Sequence, residues 1–254
     1  MSETFEIAQP TKGYRYSLDP FLLANFVLDS RSLPTACHEQ DRDRAKSASN
    51  DEAFGADLGT GNGILPLLLK RHIPHVKFTG IDIQYNPLSW AKKNLPNARL
   101  LQADLRTTAN LFKSSVFDIA VSNPPYRKKG SGRINTSEEK AISRHELKLT
   151  LRELIASALH LLRDGGVLYI CHLAERSDEL LSELESAGFT TTETSFVRSR
   201  SGEKPFLFLA CAVKGEGNEV VSQRPDLTVY GVDGAYTEEM ESVYRRLSIS
   251  GSAE

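Results

Sequence analysis

From Phe54 onward, short apolar runs alternate with leucine-rich segments of helical periodicity. The first run leads directly into Asp57-Leu58-Gly59-Thr60-Gly61-Asn62-Gly63. No other feature limits the fold so sharply. Residues 54–58, 76–83, 99–102, 116–122 and 167–171 read as strands, and 64–71, 86–94, 147–162 and 174–187 as helices. In 147–162 the apolar positions Leu147, Leu151, Leu154, Ile155, Ala158 and Leu162 share one buried face. Asp164-Gly165-Gly166 reads as that helix's stop and Gly188 as the stop of the next. Repeated βα units require crossovers, so the expected fold is α/β: a mostly parallel sheet with helices on both faces and right-handed connections. The run 206–213 supplies a last, C-terminal strand, expected to be antiparallel.

The glycines after the first strand permit a tight turn and let a ligand approach the backbone closely. Their spacing is G-x-G-x-G. Position 64 is Ile, so the dinucleotide fingerprint is not met, and no lysine–serine or lysine–threonine pair follows to make a Walker loop. Two acidic residues stand at successive strand ends. Asp82 closes the second strand, where a carboxylate can accept from both ribose hydroxyls of a nucleoside. Asp104 follows the third, where it can accept from an adenine amino group. Either alone reads equally as a helix cap or solvated loop residue; together they fit an adenosine-containing cofactor.

Asn123-Pro124-Pro125-Tyr126 ends the fourth strand. Two prolines cannot continue a sheet ladder, and they stiffen the turn at the edge where open α/β sheets bind ligands. A side-chain amide, a proline carbonyl and an aromatic face leave one rigid loop together. That set suits a planar amine or amide held by its N–H groups and stacked on its π-face; the bland alternative is a proline-rich turn with a structural tyrosine. Arg127, Lys128, Lys129, Arg133, Arg144, His145 and Lys148 follow, interspersed with Glu138, Glu139 and Glu146. As a charge run this is a solvated face; beside a base-stacking tyrosine it reads as a phosphate-binding patch.

The formal net charge of −2 gives no global sign of nucleic-acid binding, so that reading rests on the local patch. Cys37, Cys171 and Cys211 are too few and too dispersed for a disulfide framework or zinc site, which points to a reducing cytosol and no metal. Residues 1–9 lack the form of a signal peptide, and no apolar run is long enough to span a bilayer. Three parts are expected. Residues 1–53 form an N-terminal extension with a short helix, capped by Asp19 with Pro20 at its first position, then a charged, exposed loop over 31–52. Residues 54–214 form the core. Residues 215–254 form a tail packed on it, with a Gly231-Val232-Asp233-Gly234 turn and a short helix after Thr237.

D-x-G-x-G-x-G resembles motif I of the class I S-adenosylmethionine-dependent methyltransferases, which implies their Rossmann-like sheet and S-adenosylmethionine as cofactor. On that resemblance Asp57, Gly59, Gly61, Asp82, Asp104 and Asn123 are the expected cofactor-binding residues. Asn123-Pro124-Pro125-Tyr126 resembles motif IV of the amino-methyltransferases, which act on exocyclic amines of nucleobases or on a glutamine amide. The expected catalytic residues are Asn123, Pro124 and Tyr126. An adenine N6 lone pair is delocalised into the ring, so the Asn123 side-chain oxygen and the Pro124 carbonyl each accept one N6–H and favour a tetrahedral nitrogen. Tyr126 stacks on the base. Alignment then carries most of the catalysis, an effect worth roughly 7–11 kcal/mol in well-oriented cases.

A narrower resemblance covers most of the chain in order: Gly13-Tyr14-Arg15-Tyr16-Ser17-Leu18-Asp19-Pro20-Phe21-Leu22-Leu23-Ala24, Asp57 to Gly63, Asn123 to Tyr126, Arg144-His145-Glu146, and Tyr230-Gly231 through Tyr236-Thr237-Glu238. These look like the bacterial tRNA(Val) (adenine-37-N6)-methyltransferase family. The family implies N6-methylation of the adenosine 3′ of the anticodon, an already unpaired base that is easier to extrude than one in a duplex. It implies a tRNA anticodon stem-loop as partner, with Arg127, Lys128, Lys129, Arg133, Arg144 and His145 as the RNA-binding set. Tyr14 and Tyr16, with Arg15, add a stacking surface or belong to the core. The charged 31–52 stretch departs from the compact pattern of such a family. Rival readings are a ribosomal RNA amino-methyltransferase, a release-factor glutamine methyltransferase, and an inactive fold used as an RNA-binding module. Release-factor enzymes carry a substantial helical domain before the glycine loop, where only about fifty largely polar residues stand here; the intact motifs argue against the inactive module. Oligomeric state is open, a monomer being the working expectation.

Overall fold

The computed structural model describes residues 17–33, 52–124, 149–215, 217 and 220–247. In chain order these form α1 (Asp19–Leu28), β1 (Ala53–Leu58), α2 (Ile64–Lys70), β2 (Val76–Asp82), α3 (Tyr85–Asn94), β3 (Arg99–Gln102), α4 (Thr108–Leu111) and β4 (Phe117–Ser122). They continue with α5 (Leu151–Leu161), β5 (Leu162–Leu173), α6 (Ser177–Ser186), β6 (Phe189–Arg200), β7 (Pro205–Lys214), β8 (Ser222–Gln223), β9 (Leu227–Tyr230) and α7 (Glu238–Leu247).

The described strands form one sheet in the order β3-β2-β1-β4-β5-β7-β6-β8, with β9 also pairing with β6. Neighbours from β3 to β5 are parallel. Strand β7 runs antiparallel between β5 and β6, so the expected mostly parallel sheet with a C-terminal antiparallel strand is what forms. Both faces are covered. Ile119, Val121, Val167, Tyr169 and Cys171 pack toward α1, α2 and α7, while Ala120, Leu168 and Ile170 pack toward α5 and α6. Burial on both faces explains why the central strands read as continuous apolar runs.

Helix α1 buries Pro20, Phe21, Leu22, Leu23, Ala24, Phe26 and Val27. At roughly 1.5–3 kcal/mol for each large apolar side chain, that burial holds it to the core. Its C-terminal end is tied to α7, where Arg246 donates to Asn25 Oδ1 at 3.1 Å and pairs with Asp29. Asp19 is the first helical residue and not the cap, because Phe21 and Leu22 both donate to the Leu18 carbonyl.

Three further differences from the sequence-based expectation have identifiable structural causes. Helix α5 begins at Leu151 because Thr150 and Glu153 form a capping box. It ends at Leu161, before Asp164-Gly165-Gly166. Those residues instead lie within β5, where pairing with β4 shifts register and Gly165 takes a φ of +72°. Strand β6 carries the polar run Thr190-Thr191-Thr192-Glu193-Thr194-Ser195, which gives no strand-like hydrophobic signal. Its buried polar groups find partners from elsewhere: Ser195 Oγ donates to Pro225 O at 3.1 Å, and Glu193 accepts from Ser30 Oγ at 2.7 Å and from Arg31 N at 3.0 Å.

Candidate active site

Register brings the motifs to one edge of the sheet. Leu58 pairs with Ile81, Asp82 with Gln102, and Asp57 with Val121. The residues just past these positions, Gly59, Asp104 and Asn123, therefore share the carboxyl edge with Asp82.

Gly59, Gly61 and Gly63 all have positive φ, at 81°, 54° and 76°. A Cβ at Gly59 or Gly61 would meet nothing within 4 Å, whereas one at Gly63 would stand 3.0 Å from Leu95 and 3.1 Å from Ala91. The first two glycines thus border open space suited to a ligand, and the third lets α2 pack against α3. Gly59 N and Thr60 N both donate to the Ile81 carbonyl at 2.8 and 3.0 Å. Asn94 Nδ2 holds the Asn62 carbonyl at 2.8 Å.

Asp82 is 8% exposed and accepts from Gly61 N and Gln84 N, each at 2.8 Å. Burial raises its pKa, and the backbone donors of Gln84, Gly61 and Ile83 counter that rise. Asp57 is 2% exposed, and its Oδ2 has no hydrogen-bond partner among the described residues; the same holds for Thr60 Oγ1. Burial pushes Asp57 up to about 7; the nearby Thr60 hydroxyl offsets part of this, and the Asp82 charge adds to it. Two buried carboxyl groups with spare acceptor capacity thus stand beside the glycine turn. Asp104 caps the short turn after β3 through Arg106 N at 3.0 Å, and the Arg106 guanidinium pairs with its carboxylate. Its capping role is therefore present in the structure, and any adenine contact has to use its remaining lone pairs.

Asn123 and Pro124 close the described part of the loop after β4. Ser122, which the sequence reading did not single out, is fully buried, and its Oγ donates to the Leu58 carbonyl at 2.7 Å. That bond locks the end of β4 to the end of β1 and fixes where Asn123 emerges; a small polar residue closing an apolar strand was the available signal. Tyr126, Arg127, Lys128, Lys129, Arg133, Arg144 and His145 lie outside the described residues, as do Tyr14, Arg15, Tyr16 and positions 34–51.

Residues 46–194 match the family model described as the methyltransferase small domain, more than half of the chain. The chain belongs to the methyltransferase small domain family. Membership implies S-adenosylmethionine as cofactor, and the site fits it: Asp82 and Asp57 offer buried acceptors, and the turn at Gly59 and Gly61 leaves open space for close approach. The chain is 27% identical over 160 residues to a Tolumonas auensis protein named tRNA1(Val) (adenine(37)-N6)-methyltransferase, covering 60% of this chain and 65% of that one. It therefore spans just under two thirds of that relative. It is 31% identical over 157 residues to a Deinococcus radiodurans release factor glutamine methyltransferase, covering 57% of this chain and 56% of that one. Among solved structures, a protein of Agrobacterium tumefaciens described as a predicted O-methyltransferase superposes with a TM-score of 0.64 at 18% identity, over 90% of this chain and 96% of that one. This last likeness concerns the fold alone.

Proposed function

We propose that this methyltransferase N6-methylates an adenine in RNA, with adenosine 37 in the anticodon loop of tRNA(Val) as its substrate. The observation that carries the reading is the position of Asn123 and Pro124 at the carboxyl edge, one strand from the glycine turn. S-adenosylmethionine, when bound, supplies an electrophilic methyl group. The chain's own contribution is orientation. Asn123 Oδ1 and the Pro124 carbonyl each accept one N–H of the acceptor amine, so that its lone pair is aimed rather than free to rotate. Neither group is a base, and the proton displaced by the methyl group leaves to solvent. Tyr126 stacks on the base, and Arg127, Lys128, Lys129, Arg133, Arg144 and His145 hold phosphates. Asp57, Gly59, Gly61, Asp82 and Asp104 hold the cofactor.

The choice of RNA over release factor rests on the segments outside the core. The N-terminal and C-terminal flanks, each of which contains a stretch resembling the tRNA(Val) family, pack together: Phe21 and Tyr244 have ring centroids 5.2 Å apart, and Arg246 reaches the Leu28 carbonyl at 3.3 Å. A joint packing of both flanks agrees with a likeness that extends beyond the shared core. The proposed division is 1–53, 54–214 and 215–254, the last contributing β9 to the sheet and α7 to the support of α1. The release-factor reading is the second choice, kept by the Deinococcus radiodurans relative.

The deciding experiment offers labelled S-adenosylmethionine with total tRNA, ribosomal RNA or release factor, followed by nucleoside analysis. N6-methyladenosine in tRNA(Val) is the expected product; label appearing only in release factor would replace this reading with its rival.

A further inference from the structure

Cys171 stands one strand over from the acceptor-binding loop and has no part in the chemistry described so far. Val121 pairs with Tyr169 and Ser122 with Ile170, so the next residue on each strand brings Asn123 beside Cys171. The thiol Sγ lies 3.2 Å from Asn123 Oδ1 and 3.9 Å from the Ser122 carbonyl. Cys171 is fully buried on β5, between β4 and β7, and it shares its cluster with Ile119, Val121 and Tyr169. The sheet itself therefore fixes the sulfur, unlike a side chain on a loop.

We propose that Cys171 is a positioning residue for the Asn123 amide, donating its S–H to Oδ1 and so selecting the rotamer that presents oxygen to the acceptor. The need for such a device follows from the shape of asparagine. Turning its amide by half a revolution exchanges an oxygen for an NH2 of almost equal size. An acceptor amine donates hydrogen bonds, and a flipped amide would confront it with a second donor. A thiol is a weak donor and a weaker acceptor, so it favours the oxygen. A carbonyl oxygen accepts through two lone pairs, so accepting from the thiol does not by itself bar it from accepting an amine N–H. This inference rests on Asn123 as the acceptor-binding group, and it holds for an adenine amine or a glutamine amide alike.

The test compares Cys171→Ala, which removes the donor, with Cys171→Ser, which keeps one of similar reach. Each is assayed on whichever of tRNA(Val) transcript, ribosomal RNA or release factor the wild-type protein methylates. Calorimetric titration of S-adenosylmethionine and thermal unfolding run alongside. The expected result is a kcat lower by roughly fivefold to tenfold in the alanine variant, the size of one lost hydrogen bond, with cofactor affinity unchanged. Serine should recover kcat to within about twofold, as a hydroxyl is the stronger donor. Should the alanine variant fail to fold, Cys171→Val fills the volume without a donor and takes its place. Wild-type kcat in a donor-free variant overturns the proposal. So does a serine variant as slow as alanine, or a loss of cofactor affinity that matches the loss of rate. Asn123→Ala separates the two levels: if it stays active, the acceptor-binding reading itself fails. If it is dead with cofactor binding intact while Cys171→Ala is normal, only the thiol proposal fails.

Discussion

Asp82 Oδ2 accepts the Gly61 N–H at 2.8 Å, so the carboxylate that ends β2 also braces the turn that follows β1. Gly61 holds a φ of +54°, which a residue bearing a Cβ adopts only under strain. The group proposed to hold the ribose therefore also maintains the turn proposed to face the cofactor. Asp82→Ala should remove both contributions and weaken S-adenosylmethionine binding by at least tenfold, since a hydrogen bond to a charged group is worth about 1.5–3 kcal/mol. Isothermal titration gives the answer, and an unchanged affinity would withdraw Asp82 from the cofactor site.

Asp57 carries a pH dependence with a definite sign. Its pKa rises from 3.8 in the ordinary carboxylate to about 7 in the fold, chiefly through burial. Below the lower value the group is protonated in both states. As pH rises from there, the unfolded chain loses the proton first, so this residue makes stability fall until pH passes the folded value and then level off. The full shift corresponds to at most ~4 kcal/mol. Urea unfolding of the cofactor-free protein at pH 5 and pH 8 should show the fall, and Asp57→Asn should flatten it. An identical pH slope in both proteins would contradict the assignment.

Glu193 is 5% exposed and pairs with Arg224, whose guanidinium also donates to the Phe26 carbonyl at 3.0 Å and lies 4.3 Å from the Phe26 ring centroid. This node joins α1 to β6 and to the segment before β9. Arg224→Met strands a buried carboxylate and should destabilise the protein by about 3–5 kcal/mol. Adding Glu193→Gln should restore part of the loss. Denaturant midpoints of the single and double variants measure the coupling, and additive losses would mean that the pair is not a unit.

If the basic segment binds RNA phosphate, Lys128→Glu with Lys129→Glu should weaken tRNA binding at low salt by at least tenfold. The slope of log affinity against log salt should become shallower by about two contacts' worth. Filter binding across a salt series reads both quantities. Binding that is indifferent to the charge reversal and to salt would leave the patch a solvated face.

Local pattern carried much of this protein. The runs ending at Leu58 and Ser122 announce central parallel strands because their carboxyl halves are buried on both faces, whereas Lys77 and Thr79 interrupt the run ending at Asp82 and the edge strand ending at Gln102 buries none of its residues. The glycine turn and the acidic end of β2 were equally legible, since each needs a particular residue type at one position. Tertiary structure decided what depends on distant partners. Strand β6 exists because Ser30, Arg31 and Arg224 satisfy Glu193 and Pro225 satisfies Ser195, contacts up to 163 residues apart that no local window contains. The same is true of Ser122 locking β4 to β1 and of Cys171 meeting Asn123, 64 and 48 residues apart. Sequence alone determined which chemical groups reach the sheet edge. Which of them hold one another in place was settled only when sheet order and register brought remote strands side by side.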